Sequence, residues 1–198
     1  MKIIKTITDK LDDPLVTFKY FERLIALFCI IMPMFLWLAD GLSMHPFRPS
    51  ISNYVYMDHS YVFGMLLCIA AMLFIFNGAV YYKNEPHMHI SKHGRWYNIV
   101  LGFSLLGVIC FRHIEYAIVH NIFAGIFFIG NALVTGIFYK DKDKIKSIAL
   151  AILTLAALPL ALTNVISLFA AEWISLAVIG IHFLLSTLEM NKEVTENK

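Results

Sequence analysis

Four ionisable side chains stand close together in residues 111–131, at the junction of two long apolar runs. They are Arg112, His113, Glu115 and His120. Ionisable groups at bilayer depth are costly to bury and rarely face lipid, so such a cluster indicates a functional site. The chemistry available there is that of imidazole, carboxylate and guanidinium groups.

Metal-assisted hydrolysis is one use of these residue types. The candidate zinc ligands are His59, His120, His182 and Asp58, with Glu172 as an alternative carboxylate. Zinc with an open coordination position activates water against an ester, which predicts a lipid hydrolase. His120 and His182 would then be metal ligands or acid–base groups, and Glu172 or Glu115 would orient an imidazole. The spacing matches no compact ligand motif, so zinc remains one alternative.

Anion binding is the competing use. Arg48 and Arg112 carry guanidinium groups, which suit phosphate and carboxylate headgroups. The candidate ligand-binding residues are Arg48, Ser50, Ser52, Arg112 and His113. On this interpretation the histidines and glutamates satisfy one another as structural hydrogen bonds.

The elements that position these residues are apolar helices. The chain of 198 residues is 59% hydrophobic and 15% charged, contains 16 Phe, and has a mean hydropathy of +0.70. An ordinary soluble domain does not reach these values, so the chain is predicted to be a polytopic membrane protein. Windows of about 20 apolar residues suit a membrane-spanning helix. Six are present, at roughly 20–42, 60–82, 96–114, 117–139, 146–169 and 171–190.

These windows predict an all-α, six-helix transmembrane bundle. Residues 1–19 form a cytoplasmic N-terminal segment, 20–190 the transmembrane domain, and 191–198 a cytoplasmic tail. The three cysteines, Cys29, Cys68 and Cys110, fall inside predicted spans and indicate no disulfide framework.

The basic residues predict the orientation. With the N-terminus inside, fourteen of the 16 Lys and Arg lie on the inner side, and only Arg48 and Arg112 lie on the outer side. This asymmetry predicts that both termini are cytoplasmic, in a multi-pass protein of the cell membrane, expected to be a bacterial cytoplasmic membrane. The lysines are spread over separate loops without a basic-aromatic motif, so no nucleic-acid partner is expected.

Several fragments carry a resemblance to a known family. They are Arg-Pro-Ser-Ile-Ser at 48–52, His-Asn-Ile-Phe-Ala-Gly-Ile-Phe-Phe at 120–128, Ala-Glu-Trp-Ile at 171–174 and Ile-His-Phe at 181–183. In this order they resemble the Frag1/DRAM/Sfk1 family of six-span membrane proteins and related bacterial families of unknown function. The resemblance implies a part in lipid remodelling. The polar positions that it implies are Ser50, Ser52, His120, Glu172 and His182.

Three functions follow from these patterns. The first is binding or remodelling of a membrane lipid in an outward-facing cavity lined by Arg48, Ser52, His59, Arg112, His113, Glu115, His120, Glu172 and His182. The second is a zinc-dependent intramembrane lipid hydrolase. The third is a non-catalytic structural or sensory membrane protein. The sequence leaves open whether the protein is an enzyme, and it leaves the oligomeric state open.

Overall fold

Six α-helices make up most of the computed structural model, which describes residues 14–41, 47–84, 96–138 and 144–196. The helices are α1 (Pro14–Ala39), α2 (Ser60–Asn84), α3 (Tyr97–Cys110), α4 (Ala117–Leu133), α5 (Lys144–Leu162) and α6 (Leu168–Glu196). A 3-10 helix, Ser52–Tyr56, lies in the connection before α2, and a π-helical turn, Val134–Phe138, extends α4. The predicted all-α class is confirmed.

The helices form a closed ring. Each helix packs against the next in sequence, α6 returns to α1, and α4 also contacts α6. Neighbouring helices run in opposite directions: Phe18 of α1 meets Tyr81 of α2, and the indole of Trp173 in α6 donates to the carbonyl of Ile30 in α1. The first and last described helices are therefore direct partners.

Five of the helices are long and apolar enough to cross a membrane, and α3 is apolar but shorter. The sequence predicted a longer third element, with a window of 96–114. The helix ends at Cys110, since Phe111 leaves the helical conformation with a φ of −109° and a ψ of 90°, and the Phe111 carbonyl bonds the His120 side chain. The 14 residues of α3 rise only about 21 Å.

The distribution of polarity is that of a membrane protein. Large apolar side chains cover the outside of the bundle, among them Ile118 at 78% and Ile152 at 60% exposure. Polar side chains such as Glu22 and Asn98 are fully buried. In water such an apolar exterior would promote aggregation, whereas in lipid it is the expected helix surface.

Small residues let the helices approach closely. A side chain at Gly102 of α3 would collide with the Ala71 carbonyl of α2, and one at Gly180 of α6 would collide with the Ala26 carbonyl of α1. Close packing of this kind drives helix association where lipid is as apolar as the protein.

A short connection fixes the outer end of α6. Asn164 has a φ of 58°, and the Val165 amide donates to the Leu160 carbonyl, which closes the end of α5. The Ser167 hydroxyl then accepts the Ala170 amide and caps α6. Glu172 consequently lies in the second turn of α6.

Candidate functional site: a cavity at one end of the bundle

A cavity of roughly 590 Å³, including its open part, lies between five of the six helices and the segment that precedes α2. The described lining residues are Phe28, Cys29, Met32, Ile51, Ser52, Phe63, Leu67, Ala70, Phe74, Leu105, Val108, His120, Ala124, Phe127, Phe128, Glu172 and Leu176. Most of these side chains are apolar.

The polar lining residues occupy one end of the cavity. Ser52 belongs to the segment before α2, His120 to the first turn of α4, and Glu172 to the second turn of α6. All three positions are near the ends of elements on the predicted outer side. From Phe63 to Phe74 the lining of α2 extends 11 residues away from that end, or about 16 Å. The cavity is therefore polar at one end, which we call the mouth, and apolar over the rest of its length.

Glu172 holds the mouth together. Its Oε2 atom accepts the backbone N–H of Ile51 at 2.5 Å. A second bond joins the same elements, from the Phe169 amide to the Pro49 carbonyl at 2.9 Å. Two fragments that are about 120 residues apart in sequence, 48–52 and 171–174, are thus docked on each other.

His120 has one nitrogen committed to the backbone. Its Nδ1 atom lies 2.7 Å from the carbonyl oxygen of Phe111. A carbonyl can only accept, so Nδ1 must carry the proton and, in the neutral ring, Nε2 is an acceptor. The ring of exposed His113 packs edge-on against the His120 ring, with centroids 5.5 Å apart. Backbone and ring contacts thus fix the imidazole at the mouth.

The two predicted anion-binding arginines each have a carboxylate partner. Arg48 pairs with Asp40 through two bonds, Nε to Oδ2 at 2.6 Å and Nη2 to Oδ1 at 2.8 Å. The hydrogen bonds to Asp40 raise the pKa of the Arg48 guanidinium, which also lies 5.8 Å from the centre of the Tyr54 ring. Arg112 pairs with Glu115 at 2.8 Å on the surface. None of these four charged residues lines the cavity.

The segment before α2 bridges the top of the bundle. The hydroxyls of Ser50 and Ser52 lie 3.0 Å apart, and Ser50 Oγ accepts the Asn53 amide, which stabilises the 3-10 helix. At the C-terminal end of this 3-10 helix, the Tyr56 hydroxyl accepts a hydrogen bond from the Ile114 amide at 3.0 Å. Ser50 is therefore a structural neighbour of the cavity, while Ser52 lines it.

The proposed zinc ligands are not brought together. Asp58 and His59 are exposed at the start of α2, where the His59 ring packs on Tyr61. His182 is buried beside Phe183, ten residues along α6 from Glu172, and it does not line the cavity. Within the described ranges no group of three or more His, Cys, Asp or Glu side chains is arranged to hold a metal ion.

Sequence reasoning missed a second set of buried polar groups, which we call the inner polar layer. Its members are Glu22, Asn77, Asn98, Ser186 and Thr187. Glu22 Oε2 accepts the hydroxyls of Ser186 at 3.1 Å and Thr187 at 3.4 Å, and Asn98 donates to Asn77 at 2.5 Å. These bonds join α1 to α6 and α2 to α3.

Heptad spacing in the sequence could have identified Glu22 as a buried residue. The buried stripe of α1 contains Phe18, Ile25, Cys29, Met32 and Leu36, and position 22 completes its alternation of steps of four and three. A carboxyl group on such a stripe must face another helix.

Three phenylalanines separate the cavity from the inner polar layer, and we call them the aromatic floor. Phe74 meets Phe127 and Phe183 in edge-to-face contacts, with centroids 5.5 and 5.8 Å apart. Asn77 and Thr187 follow one turn further along α2 and α6. The floor closes the cavity at its apolar end.

Comparison with known proteins gives a match to a sequence family. No curated protein and no solved structure matches it. Residues 31–187 match the sequence model of a family described as a family of unknown function, DUF7103. The matched region begins within α1 and ends within α6. It includes the aromatic floor, every described cavity-lining residue except Phe28 and Cys29, and every member of the inner polar layer except Glu22. Because the match extends over more than half of its length, the chain belongs to the DUF7103 family.

Proposed function

We propose that this protein binds an amphiphile of the membrane in the cavity, with the headgroup at Ser52, His120 and Glu172 and a hydrocarbon chain toward the aromatic floor. The main support for this proposal is the distribution of polar residues in the cavity lining, which is polar at one end and apolar for about 16 Å beyond it. A bilayer lipid has the same order of groups. Water alone would not require so long an apolar interior.

The proposed topology has six spans with both termini in the cytoplasm. Fourteen of the 16 Lys and Arg then lie on the inner side, which supports this orientation. Trp37 and Trp173, near the outer ends of α1 and α6, belong to an aromatic cluster of the kind found at membrane interfaces. The mouth would then lie at the outer leaflet of the cell membrane, which we take to be a bacterial cytoplasmic membrane.

Lipid remodelling is the extension that the resemblance to the Frag1/DRAM/Sfk1 family supports. Three of the four fragments that carry the resemblance supply the polar mouth, through Ser52, His120 and Glu172. His120 Nε2 is an acceptor in the neutral ring and would be the base for a hydroxyl group. Binding is nevertheless the primary proposal, because it needs only the cavity.

A cavity-filling substitution tests binding. Ala124 lines the cavity, and Ala124→Phe would occupy the space of a chain without altering the polar mouth. We expect the purified variant to lose lipid that the wild type retains in native mass spectrometry. Ala149→Phe is the matched control, because Ala149 is exposed on α5. Equal lipid retention by wild type and Ala124→Phe would overturn the proposal.

Single cysteines in a cysteine-free background test the topology. Asp58 and Lys144 are both exposed, and the proposal places them on opposite sides of the membrane. A membrane-impermeant maleimide should label Asp58→Cys in intact cells and Lys144→Cys only after permeabilisation. The reverse pattern would refute the orientation.

A further inference from the structure

We propose that the headgroup taken by the cavity is uncharged and carries a hydroxyl group, as in a diacylglycerol or a long-chain alcohol, and that phosphate lipids are excluded. This inference rests on the proposed amphiphile site. It concerns the chemistry of the mouth, where the sequence alone favoured an anionic headgroup held by arginines.

Among the described residues, the mouth offers hydrogen-bond acceptors and neither Lys nor Arg. Glu172 accepts the Ile51 amide, and whether its carboxyl group is ionised or protonated it supplies no cation. His120 uses Nδ1 for the Phe111 carbonyl, so the neutral ring presents the acceptor Nε2. Ser52 adds a hydroxyl that both donates and accepts. Among the described lining residues there is no Lys or Arg.

Arg48 and Arg112 each pair with a carboxylate, so neither guanidinium is available to bind a phosphate at the mouth. Asp40 engages the Arg48 guanidinium with two hydrogen bonds, and the Asp40 side chain is only 10% exposed. Glu115 pairs with Arg112 on the surface. A lipid phosphate would therefore enter a site of low dielectric without a counter-charge, and beside a carboxyl group.

A hydroxyl group fits the same atoms. It can donate one hydrogen bond to His120 Nε2 or to Glu172 and accept one from Ser52, which satisfies both sides without moving a charge out of water. An ammonium group would also find acceptors, but its desolvation costs more than that of a hydroxyl and only one carboxyl group is present to offset it. Of the three headgroups, the hydroxyl group has the lowest desolvation cost, and the side chains of the mouth can satisfy its hydrogen bonds.

The dimensions favour one chain inside the protein. The apolar part of the cavity is about 16 Å long and ends at Phe74 and Phe127 of the aromatic floor. This length takes part of one hydrocarbon chain, so the rest of a single-chain alcohol, or the second chain of a diacylglycerol, would extend into the bilayer. Both share a hydroxyl group adjoining hydrocarbon, and separate arms of the experiment distinguish them.

The experiment compares four probes on the purified full chain: hexadecanol, dioleoylglycerol, dioleoyl phosphatidic acid and hexadecylamine. Thermal stability is measured in detergent with each probe, and native mass spectrometry counts the bound molecules. We expect one or both hydroxyl compounds to raise Tm and to be retained, while phosphatidic acid and the amine leave Tm unchanged. His120→Phe should lower the affinity for the hydroxyl compounds by roughly tenfold, since it removes the acceptor nitrogen.

A variant that introduces a positive charge at the mouth is expected to gain phosphate binding, so this test does not depend on a loss of function. Ser52→Arg places a guanidinium at the mouth, and we expect it to gain stabilisation by phosphatidic acid. Asn53→Arg is the control, since Asn53 is the neighbouring residue, is likewise half-buried and does not line the cavity. It should gain no such stabilisation.

The outcomes separate this inference from the proposed function. Stabilisation of the wild type by phosphatidic acid or by the amine above the hydroxyl compounds would overturn the headgroup assignment and leave the amphiphile site standing. Equal gains in Ser52→Arg and Asn53→Arg would also overturn it, because the mouth would then not be where the phosphate is excluded. If no probe binds and no lipid co-purifies, the amphiphile site itself fails.

Discussion

Some buried polar side chains in this protein bond to their own helix and others bond to a neighbouring helix, as Ser186 does. Its hydroxyl donates to Glu22 on α1, whereas the hydroxyl of Ser175, equally buried on α6, donates to the Ala171 carbonyl of its own helix. The first bond therefore holds two helices together, and the second holds none.

We expect Ser186→Ala to destabilise the protein by about 1 kcal/mol, because it leaves the buried Glu22 carboxyl group with one donor fewer. Ser175→Ala is the matched control and should change stability by less than half of that. The measurement is the unfolding midpoint in mixed detergent micelles. Identical midpoints for the two variants would show that the bond to Glu22 contributes nothing.

The two outer ion pairs differ in exposure, which predicts different contributions to stability. The side chains of Arg48 and Asp40 are 27% and 10% exposed, whereas those of Arg112 and Glu115 are 52% and 37% exposed. We expect Asp40→Ala to destabilise by about 1.5 kcal/mol, since it leaves a half-buried guanidinium unpaired. Glu115→Ala should change stability by less than about 0.5 kcal/mol. Thermal melts of both variants check this ranking, and a larger loss for Glu115→Ala would contradict it.

At the scale of elements, hydropathy predicted where the helices lie because burial in lipid requires continuous apolar runs. Five windows became helices long enough to span. The end of α3 was placed too late because the predicted window extended to Ile114, whereas Phe111 leaves the helical conformation and its carbonyl bonds the His120 side chain. Backbone bonds of this kind leave no mark in hydropathy.

The candidate site was predictable in part for the same reason. Ser52, His120 and Glu172 were expected together because they lie near the ends of apolar runs on one predicted side, and all three line the cavity. The partner of Arg48 was not identified, although Asp40 directly follows α1. Pairing depends on the path of the chain between these two residues, which composition does not determine.

The contact between α1 and α6 gives an element-scale prediction. A Cβ atom at Gly180 would lie 2.8 Å from Ile30 Cγ1 and 2.9 Å from the Ala26 carbonyl oxygen, and a backbone oxygen inside the bundle cannot move aside easily. We expect Gly180→Ala to destabilise by about 2 kcal/mol. Gly64→Ala should be neutral or slightly stabilising, since nothing lies within 4 Å of its Cβ position and alanine favours helix.

Thermal unfolding of the two glycine variants in the same detergent makes the comparison. A Gly180→Ala protein as stable as the wild type would mean that α1 and α6 separate without cost, and the closed ring would then not be the stable arrangement.

At the scale of the molecule, the bundle is divided into an outer cavity and an inner polar layer with the aromatic floor between them. Both polar regions use a glutamate that accepts hydrogen bonds from a distant part of the chain: Glu172 from Ile51, and Glu22 from Ser186 and Thr187. The resemblance to the Frag1/DRAM/Sfk1 family remains a prediction at this scale, while membership of DUF7103 rests on residues 31–187.

The bond between Glu172 and Ile51 has a consequence for the order of events on the ribosome. Ile51 is synthesised early, but its partner emerges about 120 residues later, after α5. Until α6 is in place, the Ile51 amide lacks its Glu172 acceptor, α1 lacks one of its two helical neighbours, and the mouth is incomplete. The cavity is therefore completed only when the last helix packs onto the others.

A chain terminated after residue 167 should reproduce that nascent state. We expect it to insert into membranes and to be degraded faster than the full chain, with a cysteine at Asn53 labelled more rapidly than in the complete protein because the docking partner of its segment is missing. Co-expression of residues 168–198 as a separate peptide should restore slow labelling, since the α1–α6 contact needs no covalent link. Equal labelling rates with and without α6 would show that the segment folds before the last helix arrives.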